Sequence, residues 1–541
     1  MSLAALSVPP RRRGLPSWPS WPGLLLLALA ACGAQHRSEP PPGDPPGDPP
    51  SDPPRAPQLA SAVIAGGAHE IRQGGSAELI VTGTGLAGAT ALAVGELAAA
   101  ITSASDAEIR AQLAVPHGFA ARSLALRVTT PAGTAELADA IATTLYIVTA
   151  DAAAGGRGTH ESPMQICDLG GSDLKSGDTL SLGAGTHQDC GSGRLLPSGA
   201  HVIGAGVGET IISGFGGLRI AGGSDDDLTT ISGLTVQIDH RLAALEVDTF
   251  GGGVRVDGFI VDAGDTAGIM VQESRTPAPA REIAIRNYRY RGTDIALFLE
   301  TGATVSDAQI EDCGVGVAIK QGQLDLRNTV IRGCNGAISE FLELRPVIHV
   351  VDSELIDNVT GILISTAAMT LDHVVVDNGT DSTRCATGVR MTGGTLETSG
   401  QTRIGCSETS ISATTQTAPA ALAVLLADTE IAGAATGIEL IGDAATRVLQ
   451  ARRSHIEGGQ LAISLAGDRL LCDLGDLGEP GQNELVSAGT ALLDARSSVD
   501  LDDLIQAIGT TINGHSYAGQ RITGPAELRP DYAITASTIQ F

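Results

Sequence analysis

Aromatic and basic residues are scarce in this chain. Only 3% of its 541 residues are Phe, Trp or Tyr, and 34 Lys and Arg stand against 61 Asp and Glu, giving a formal net charge of −27. Nucleic acids and anionic lipid surfaces are therefore poor partners, because their phosphates would be repelled. No amphipathic run of ten or more residues with helical periodicity occurs, which argues against helical bundles and helical solenoids.

Familiar catalytic motifs are absent as well. The sequence has no C-x-x-C zinc spacing, no phosphate-binding loop, no metal-binding helix motif and no Ser/His/Asp arrangement. These absences leave enzymatic activity open and favour binding or structural work. The length is sufficient for two or three domains.

A short phrase recurs four times, at residues 305–313, 326–334, 350–358 and 370–378. Pairs of a small and an aliphatic residue, such as Ala337-Ile338 and Gly361-Ile362, mark a repeat of 21 to 27 residues between Ile269 and Ile463. Repeats of this length, with β-branched runs and Gly, Asn or Asp turns, cannot bury their apolar side alone and must stack. The pattern predicts an all-β protein whose main part is a parallel β-solenoid with one coil per repeat.

Residues 1–31 have the composition of an export signal. Residues 11–13 (RRR) supply positive charge, and residues 24–31 (LLLLALAA) form an apolar core too short to span a bilayer. The core ends in Leu29-Ala30-Ala31-Cys32-Gly33, which resembles a bacterial lipoprotein signal. The resemblance implies cleavage before Cys32, acylation of its thiol and anchoring in the lipid of the outer membrane, facing the periplasm or the surface. An ordinary secretory signal with an incidental Cys32 is the alternative.

Two segments separate this signal from the solenoid. Residues 32–57 include EPPPGDPPGDPPSDPPRAP, in which proline fixes φ and removes hydrogen-bond donors, so we expect a disordered, extended tether. Residues 58–146 alternate short strands with turn-formers, which predicts a small β-sandwich. The fragments 82–86 (TGTGL) and 129–133 (TTPAG) resemble the immunoglobulin-like IPT/TIG domain, which implies a spacer or an interaction surface.

Residues 147–541 are predicted to form the solenoid and a C-terminal cap. The fragments 177–182 (GDTLSL), 198–206 (SGAHVIGAG) and 230–236 (TISGLTV) resemble the first coils of the right-handed parallel β-helix proteins of the pectin-lyase-like superfamily. That architecture includes lyases, hydrolases, adhesins and passive scaffolds, so the resemblance does not settle the function.

Six of the eight cysteines form three pairs separated by about one repeat. Residues one coil apart lie about 4.8 Å from each other, within reach of a disulfide, and an exported chain meets oxidising conditions. We expect at least two of the pairs to be bonded, with stacked thiols as the alternative, and the state of Cys472 stays open. The pairs are Cys167/Cys190, Cys313/Cys334 and Cys385/Cys406.

Two fragments are similar to pectate lyase motifs. Residues 236–240 (VQIDH) resemble their Asp-His strand motif, with Gln237 where a tryptophan is expected. Residues 275–281 (RTPAPAR) resemble their Arg-x-Pro-x-x-Arg motif with one additional residue. The resemblance implies Asp239, Arg275 and Arg281 as candidate catalytic residues, and a strand end and a proline-rich loop are the structural alternative.

Three adjacent carboxylates, Asp225, Asp226 and Asp227, offer hard oxygen ligands for Ca²⁺, although such a run is also typical of a solvated turn. No other cofactor is indicated. A column of Asp307, Asn328, Asp352 and Asp372, one per repeat, carries the same two interpretations, because stacked Asp and Asn at turns usually bond their own backbone.

One basic and aromatic cluster occurs, at residues 286–291 (RNYRYR). Alternation along a strand would place Arg286, Tyr288 and Tyr290 on one side, where they could stack on a sugar ring and hold an acidic saccharide. An outward strand with arginines paired to neighbouring carboxylates is the alternative.

The sequence therefore predicts a monomeric, lipid-anchored cell-envelope protein that presents a β-helix for glycan binding, surface interaction or structural work. The alternative function is a lyase or hydrolase acting on acidic polysaccharide. That alternative requires Asp239, other carboxylates and an arginine to converge in one groove along the solenoid.

Overall fold

Strands dominate the computed structural model, and among the residues it describes there is one short 3-10 helix, Ile166–Asp168. The described residues are 55–169, 173–188, 194–214, 216–221, 228–238, 243–248, 253–262, 264–272, 282–342, 344–379, 384–414, 422–442, 447–466, 470–476, 478–495, 505, 507–517 and 532–534. The predicted signal, Cys32 and the tether up to residue 54 lie outside them. In the described part of the chain, no helix is long and apolar enough to cross a bilayer.

The first folded region is built from eight strands in the order β1-β3-β6-β5-β4-β7-β8-β2. The strands form two sheets, one of β1, β3 and β6 and the other of β4, β7, β8 and β2, and β5 pairs with both β6 and β4 and so links them. All pairings are antiparallel except that of β2 with β8. Alternate residues such as Leu79, Val81 and Leu126 are buried in a core between the two sheets. β1 to β8 span Gln58–Ile64, Glu70–Arg72, Ser76–Thr84, Ala91–Val94, Leu97–Ala104, Glu108–Ala114, Arg122–Thr130 and Gly133–Thr144.

The rest of the described chain winds into a β-solenoid with three parallel faces, which confirms the predicted fold class. Face 1 consists of Tyr146–Val148, Thr179–Leu182, His201–Gly204, Ala303–Ser306, Gln323–Arg327, Val347–Val351, Ala368–Asp372, Gly394–Ser399, Leu422–Ala427, Arg447–Arg452 and Leu470–Asp473. Face 2 consists of Gly185–Gln188, Thr210–Gly214, Gln309–Glu311, Val330–Arg332, Glu354–Ile356, Val375–Asp377, Arg403–Gly405, Glu484–Ser487 and Thr510–Ile512, the last paired antiparallel with His515–Tyr517.

Face 3 consists of Arg194–Pro197, Leu218–Ala221, Ala243–Asp248, Ala267–Gln272, Ile295–Leu299, Val315–Ile319, Gly336–Glu340, Thr360–Ile364, Thr387–Met391, Thr409–Thr414, Thr490–Ala495 and Tyr532–Ile534. Some strands continue across a corner of the coil. Thr229–Ile238, Val254–Asp262 and Ile283–Arg291 belong to faces 1 and 2, and Glu430–Ile441 and His455–Ala466 belong to faces 2 and 3.

Aliphatic residues stack one above the other inside the coils. Val317 pairs with Ile338, Ile338 with Ile362 and Ile362 with Val389, and all four side chains are fully buried. Each coil therefore covers the apolar side of its neighbour, as the repeat predicts.

The chain turns between faces 1 and 2 at a residue in the left-handed conformation, which Asp and Asn adopt more readily than most residues. The predicted column contains three of these residues but ends differently, because Asp372 is the last residue of its strand and pairs with Val351. His373 takes the corner instead. The corner residues with positive φ are Asn287, Asp307, Asn328, Asp352, His373, Gln401, Asp428 and Arg453.

Disulfides join neighbouring coils at the corner between faces 2 and 3. Cys313–Cys334 and Cys385–Cys406 have Cα atoms 4.3 and 5.1 Å apart, which confirms the prediction for these two pairs. Cys167 is also disulfide-bonded, while its predicted partner Cys190 lies outside the described residues. Cys472 is a buried thiol.

The sandwich covers the first coil of the solenoid through a surface that we call the junction. Asp178, fully buried, accepts hydrogen bonds from Nδ1 of His117 at 2.5 Å and from the backbone N–H groups of Gly118 and Lys175, both at 2.9 Å. A buried carboxylate with three donors holds the two domains together, since moving it into water would cost all three bonds.

Further polar contacts complete the junction. Nε2 of the buried Gln73 donates to the carbonyl of Thr179 at 2.8 Å. The guanidinium of Arg72 lies 4.3 Å from the centre of the Tyr146 ring, whose hydroxyl donates to the carbonyl of Asp173 at 2.7 Å. The junction therefore closes the first edge of the solenoid, which would otherwise be open for pairing with another chain.

Candidate functional site

The sequence candidates for catalysis and calcium binding lie outside the described residues. Asp225–Asp227 follow the face 3 strand Leu218–Ala221 in the chain, and Asp239 precedes the strand Ala243–Asp248. Arg275 and Arg281 follow the strand Ala267–Gln272. Within the part of the chain that the structure covers, no group of three or more His, Cys, Asp or Glu is placed to hold a metal ion.

The prediction that Tyr288 and Tyr290 lie beside Arg286 on the surface and bind a ligand is wrong. Arg286 is exposed on face 1, but Tyr288 and Tyr290 are buried in the solenoid core. Asn287, between Arg286 and Tyr288, has a left-handed conformation and turns the chain onto face 2. The alternation of inward and outward side chains changes at this residue. Rings enclosed in this way have no surface to offer a ligand.

Both tyrosines instead donate hydrogen bonds to backbone carbonyls on the inner side of face 3. The hydroxyl of Tyr288 donates to the carbonyl of Ala296 at 2.9 Å, and that of Tyr290 donates to the carbonyl of Thr266 at 2.8 Å. Burial raises the pKa of Tyr288 well above its ordinary value and raises the pKa of Tyr290 to about 12. Neutral hydroxyls are therefore kept as donors to two neighbouring coils of face 3.

Face 3 carries two rows of outward side chains along the solenoid axis, one residue per coil in each. The inner row is Arg219, Glu246, Met270, Phe298, Ala318, Ser339 and Leu363, whose consecutive members are in register on paired strands about 4.8 Å apart. The outer row is Asp248, Gln272, Glu300, Lys320 and Phe341. Its first two residues are paired in register, and the last three directly follow the ends of their strands, where their N–H groups donate to the carbonyls of Val271, Leu299 and Ile319 in the preceding coil.

Two carboxylates alternate on a single strand of this face. Glu246 and Asp248 are half-buried and point outward on either side of the buried Val247, which places their Cα atoms about 7 Å apart. Glu246 lies 3.7 Å from the guanidinium of Arg219 one coil below. A pair of neighbouring carboxylates supplies the residue types that acid–base cleavage of a glycosidic bond uses.

A second charged pair lies further along the outer row. Nζ of Lys320 is 3.4 Å from Oε1 of Glu300, and both side chains are about one-quarter exposed. Glu300 is two coils from Asp248, about 10 Å by strand spacing. Carboxylates therefore recur along the same line of the surface.

An aromatic pair continues these rows. The rings of Phe298 and Phe341 have centroids 5.3 Å apart and planes inclined at 71°. Phe341 is 49% exposed, and Leu342 and Leu344 after it are similarly exposed. Face 3 thus combines carboxylates with apolar rings, which is the composition of a surface that binds sugars through both hydroxyls and ring faces.

A concave site of about 600 Å³ lies at the corner that leads into face 3. It is lined by Gln237, Asp262, Arg291, Thr293 and Asp312, among others. Nε of Arg291 is 3.4 Å from Oδ2 of Asp312. The described residues of this corner thus bring two carboxylates and an arginine together, whereas the predicted catalytic residue Asp239 lies outside the described residues.

A second concave site, of about 720 Å³, lies at the corner between faces 1 and 2. Its charges are paired with each other: Arg453 donates to both carboxylate oxygens of Asp428, each at 2.7 Å, and Arg403 contacts Asp377 and Glu430. The bond from Arg453 lowers the pKa of Asp428. Face 3 has similar ion pairs, but the residues that line this second site include no Phe, Tyr or Trp ring.

The residues of face 3 are not among those predicted from the sequence. Leu245-Glu246-Val247-Asp248 alternates apolar and acidic residues, which is a detectable sign of outward carboxylates on a strand. Phe298 and Phe341 carry no such sign, because their proximity depends on the register of three coils.

No family model and no curated protein matches this chain. Three solved structures are similar to it over much of its length. The catalytic unit of a thermostable GH87 alpha-1,3-glucanase from Streptomyces thermodiastaticus is 10% identical, with a TM-score of 0.33 over 84% of this chain and 92% of that one. The A-module of mannuronan C-5 epimerase from Azotobacter vinelandii is 13% identical, with a TM-score of 0.25 over 64% and 91%. A pectate lyase is 14% identical, with a TM-score of 0.24 over 51% and 78%.

Proposed function

We propose that this protein binds an extended polysaccharide along face 3 and hydrolyses it. The observation that carries the proposal is the alignment of Glu246, Asp248, Phe298, Glu300 and Phe341 along one face, in the first, third and fifth of five consecutive coils. A linear polymer running parallel to the solenoid axis would meet these side chains in turn. No other face among the described residues joins carboxylates to exposed aromatic rings.

The charge of the face favours an uncharged polymer. Between Arg219 and Leu363 its rows hold three carboxylates, Glu246, Asp248 and Glu300, against the two cations Arg219 and Lys320. Beyond Leu363 the inner row continues with Arg390, Ser412 and Glu439, which add one charge of each sign. The whole chain is strongly acidic. A polyuronate would be repelled, so the substrate class differs from the acidic polysaccharide that the sequence suggested.

Hydrolysis needs one carboxylic acid to protonate the leaving oxygen and one carboxylate to activate water. We assign Glu246, held by Arg219, as the base and Asp248 as the acid. Because they alternate on one strand with Cα atoms about 7 Å apart, both side chains face the same stretch of a polymer bound along face 3.

The test is release of reducing ends from a panel of neutral glucans, mannans and xylans. We expect Glu246→Gln and Asp248→Asn each to lower the rate by about 10² to 10⁴, the usual contribution of a general acid or base. Glu354→Gln on face 2 is the matched control, since this exposed carboxylate lies away from face 3. Equal rates for all variants would reject the assignment, and unsaturated products from a polyuronate would replace hydrolysis with lyase chemistry.

Binding without cleavage is the second candidate function. It is favoured by the ion pairs Arg219–Glu246 and Lys320–Glu300, because a carboxylate held by a cation is less available as an acid or base. Retained affinity for a neutral polysaccharide with no products from any member of the panel would support this candidate against the first.

We further propose that Cys32 is acylated and anchors the protein to the outer membrane, with the solenoid held away from the lipid by the tether. The proposal rests on the Leu-Ala-Ala-Cys sequence at the end of the apolar core. Metabolic labelling with a fatty acid tests it. Equal labelling of the wild type and Cys32→Ser would reject Cys32 as the site of acylation.

A further inference from the structure

Phe298 and Phe341 are much closer than their positions in the fold dictate. They are two coils and two strand positions apart, which corresponds to about 12 Å between Cα atoms. Their ring centroids are only 5.3 Å apart. The two rings therefore lean towards each other over the small side chain of Ala318, which lies between them on the inner row.

The core does not require this contact. Phe298 and Phe341 lie outside the buried apolar cluster of the described solenoid, and Phe341 is half exposed. Exposed large apolar side chains that gather on one patch usually mark a binding surface. The rings contribute little to folding and are available to a ligand.

Two residues shortly after Phe341 adopt an unusual backbone conformation. Leu342 and Arg345 both adopt left-handed φ values, of 72° and 55°, which are uncommon for residues of this kind. Strain of this type persists only where surrounding contacts fix the backbone, and it is concentrated at functional sites.

Glu340 supplies such contacts on the other side of Phe341. Its Oε2 accepts hydrogen bonds from the N–H groups of Ser365, Thr366 and Ala367 at 2.6, 2.7 and 3.0 Å. A carboxylate with three backbone donors fixes the residue before Phe341 to the next coil. The position of the exposed ring is thus set by two neighbouring coils.

We propose that Phe298 and Phe341 form a stacking subsite for one pyranose ring, in which the exposed ring of Phe341 stacks on the sugar and Phe298 supports it edge-to-face, and that this subsite selects an uncharged polysaccharide. The inference rests on the proposed function of face 3. Apolar rings stack on the CH-rich face of a sugar, and a carboxylate on that sugar would have to be desolvated against them.

The distance to the carboxylates sets the length of substrate. Phe298 is two coils from Glu246 and Phe341 is four coils from Asp248, which correspond to about 10 and 19 Å. The spacing of coils is close to the length of one sugar unit in an extended chain. A substrate that reaches from Asp248 to Phe341 therefore covers about five coils and on the order of five sugar units.

The experiment uses the full chain and a ladder of neutral oligosaccharides of increasing length. We expect Phe298→Ala and Phe341→Ala each to weaken binding of the long oligosaccharides about tenfold, and to leave the binding of disaccharides unchanged. In turnover, KM should rise while kcat is retained. Phe341→Trp should restore affinity, and Leu471→Ala, which removes an exposed apolar side chain from face 1, is the matched control.

The possible failures are distinguishable. Unchanged binding and KM in both alanine variants at every length would overturn the stacking subsite, even if Glu246→Gln and Asp248→Asn abolish hydrolysis. Equal loss of affinity for short and long oligosaccharides would also overturn it, because the subsite would then not be remote. Length-dependent loss of binding in a protein that cleaves nothing would support the subsite and reject hydrolysis.

Discussion

The junction and face 3 are two surfaces of the same solenoid with opposite characters. At the junction, the polar groups are buried and bonded: Asp178 has three donors, and Gln73 donates to Thr179. On face 3, aromatic and aliphatic side chains are exposed while carboxylates lie half-buried beside them. At the junction the protein's own groups satisfy one another, whereas the apolar side chains of face 3 stay exposed, as they would in an interface whose partner is not bound.

This contrast separates stability from function. A contact that the protein makes in every molecule is satisfied internally, so its loss is measured as a loss of folding free energy. A surface that waits for a ligand contributes little to folding, so its loss is measured in affinity or rate. Mutations at the two surfaces should therefore give opposite patterns in the two kinds of assay.

The largest expected effect is at the junction. Asp178→Ala leaves His117 and the N–H groups of Gly118 and Lys175 without their buried acceptor, which should cost about 3 kcal/mol. Urea unfolding checks the stability, and limited proteolysis checks whether the sandwich separates from the first coil. If Asp178→Ala were as stable as the wild type, the junction would contribute little to folding and would not differ from face 3 in this respect.

The fold was predictable because its strongest signal is local and repeated. The spacing of aliphatic residues fixed the stacking of Val317, Ile338 and Ile362, and the spacing of cysteines fixed the pairs at positions 313/334 and 385/406. Each of these inferences needs only one repeat length and one pairing direction. Errors within one repeat do not accumulate along the chain.

The site was less predictable because it depends on orientation and register together. A left-handed residue at Asn287 reverses the inward and outward positions that follow, so Tyr288 and Tyr290 enter the core although simple alternation places them with Arg286 outside. Phe298 and Phe341 meet only after coils of different length are aligned. A repeat that drifts by several residues does not reveal which outward side chains become neighbours.

An intermediate effect is expected from the tyrosine beneath face 3. In Tyr290→Phe the carbonyl of Thr266 loses its donor, which should cost about 1 kcal/mol near neutral pH. Because burial raises the pKa of Tyr290 to about 12, the unfolded chain ionises this group from about pH 10 while the folded protein does not. The stability that the neutral tyrosine contributes is therefore lost as the pH rises from 10 towards 12.

The measurement is urea unfolding of wild type and Tyr290→Phe at pH 8 and pH 11. The other tyrosines ionise in both proteins and cancel in the difference. We expect the advantage of the wild type to shrink or reverse at the higher pH. A difference that is independent of pH would show that Tyr290 is open to water, and face 3 would then lack the rigid base that the contrast assumes.

The smallest expected effect on stability is at the aromatic pair itself. Phe341 is 49% exposed and its ring leaves no buried polar group behind, so Phe341→Ala should change the free energy of unfolding by no more than about 0.5 kcal/mol. The same variant should lose affinity for long neutral oligosaccharides. If it instead unfolds at markedly lower urea, the ring pair is a structural contact like the junction. The exposure of the Phe341 ring would then follow from packing alone, and face 3 would have no feature that marks it as a binding surface.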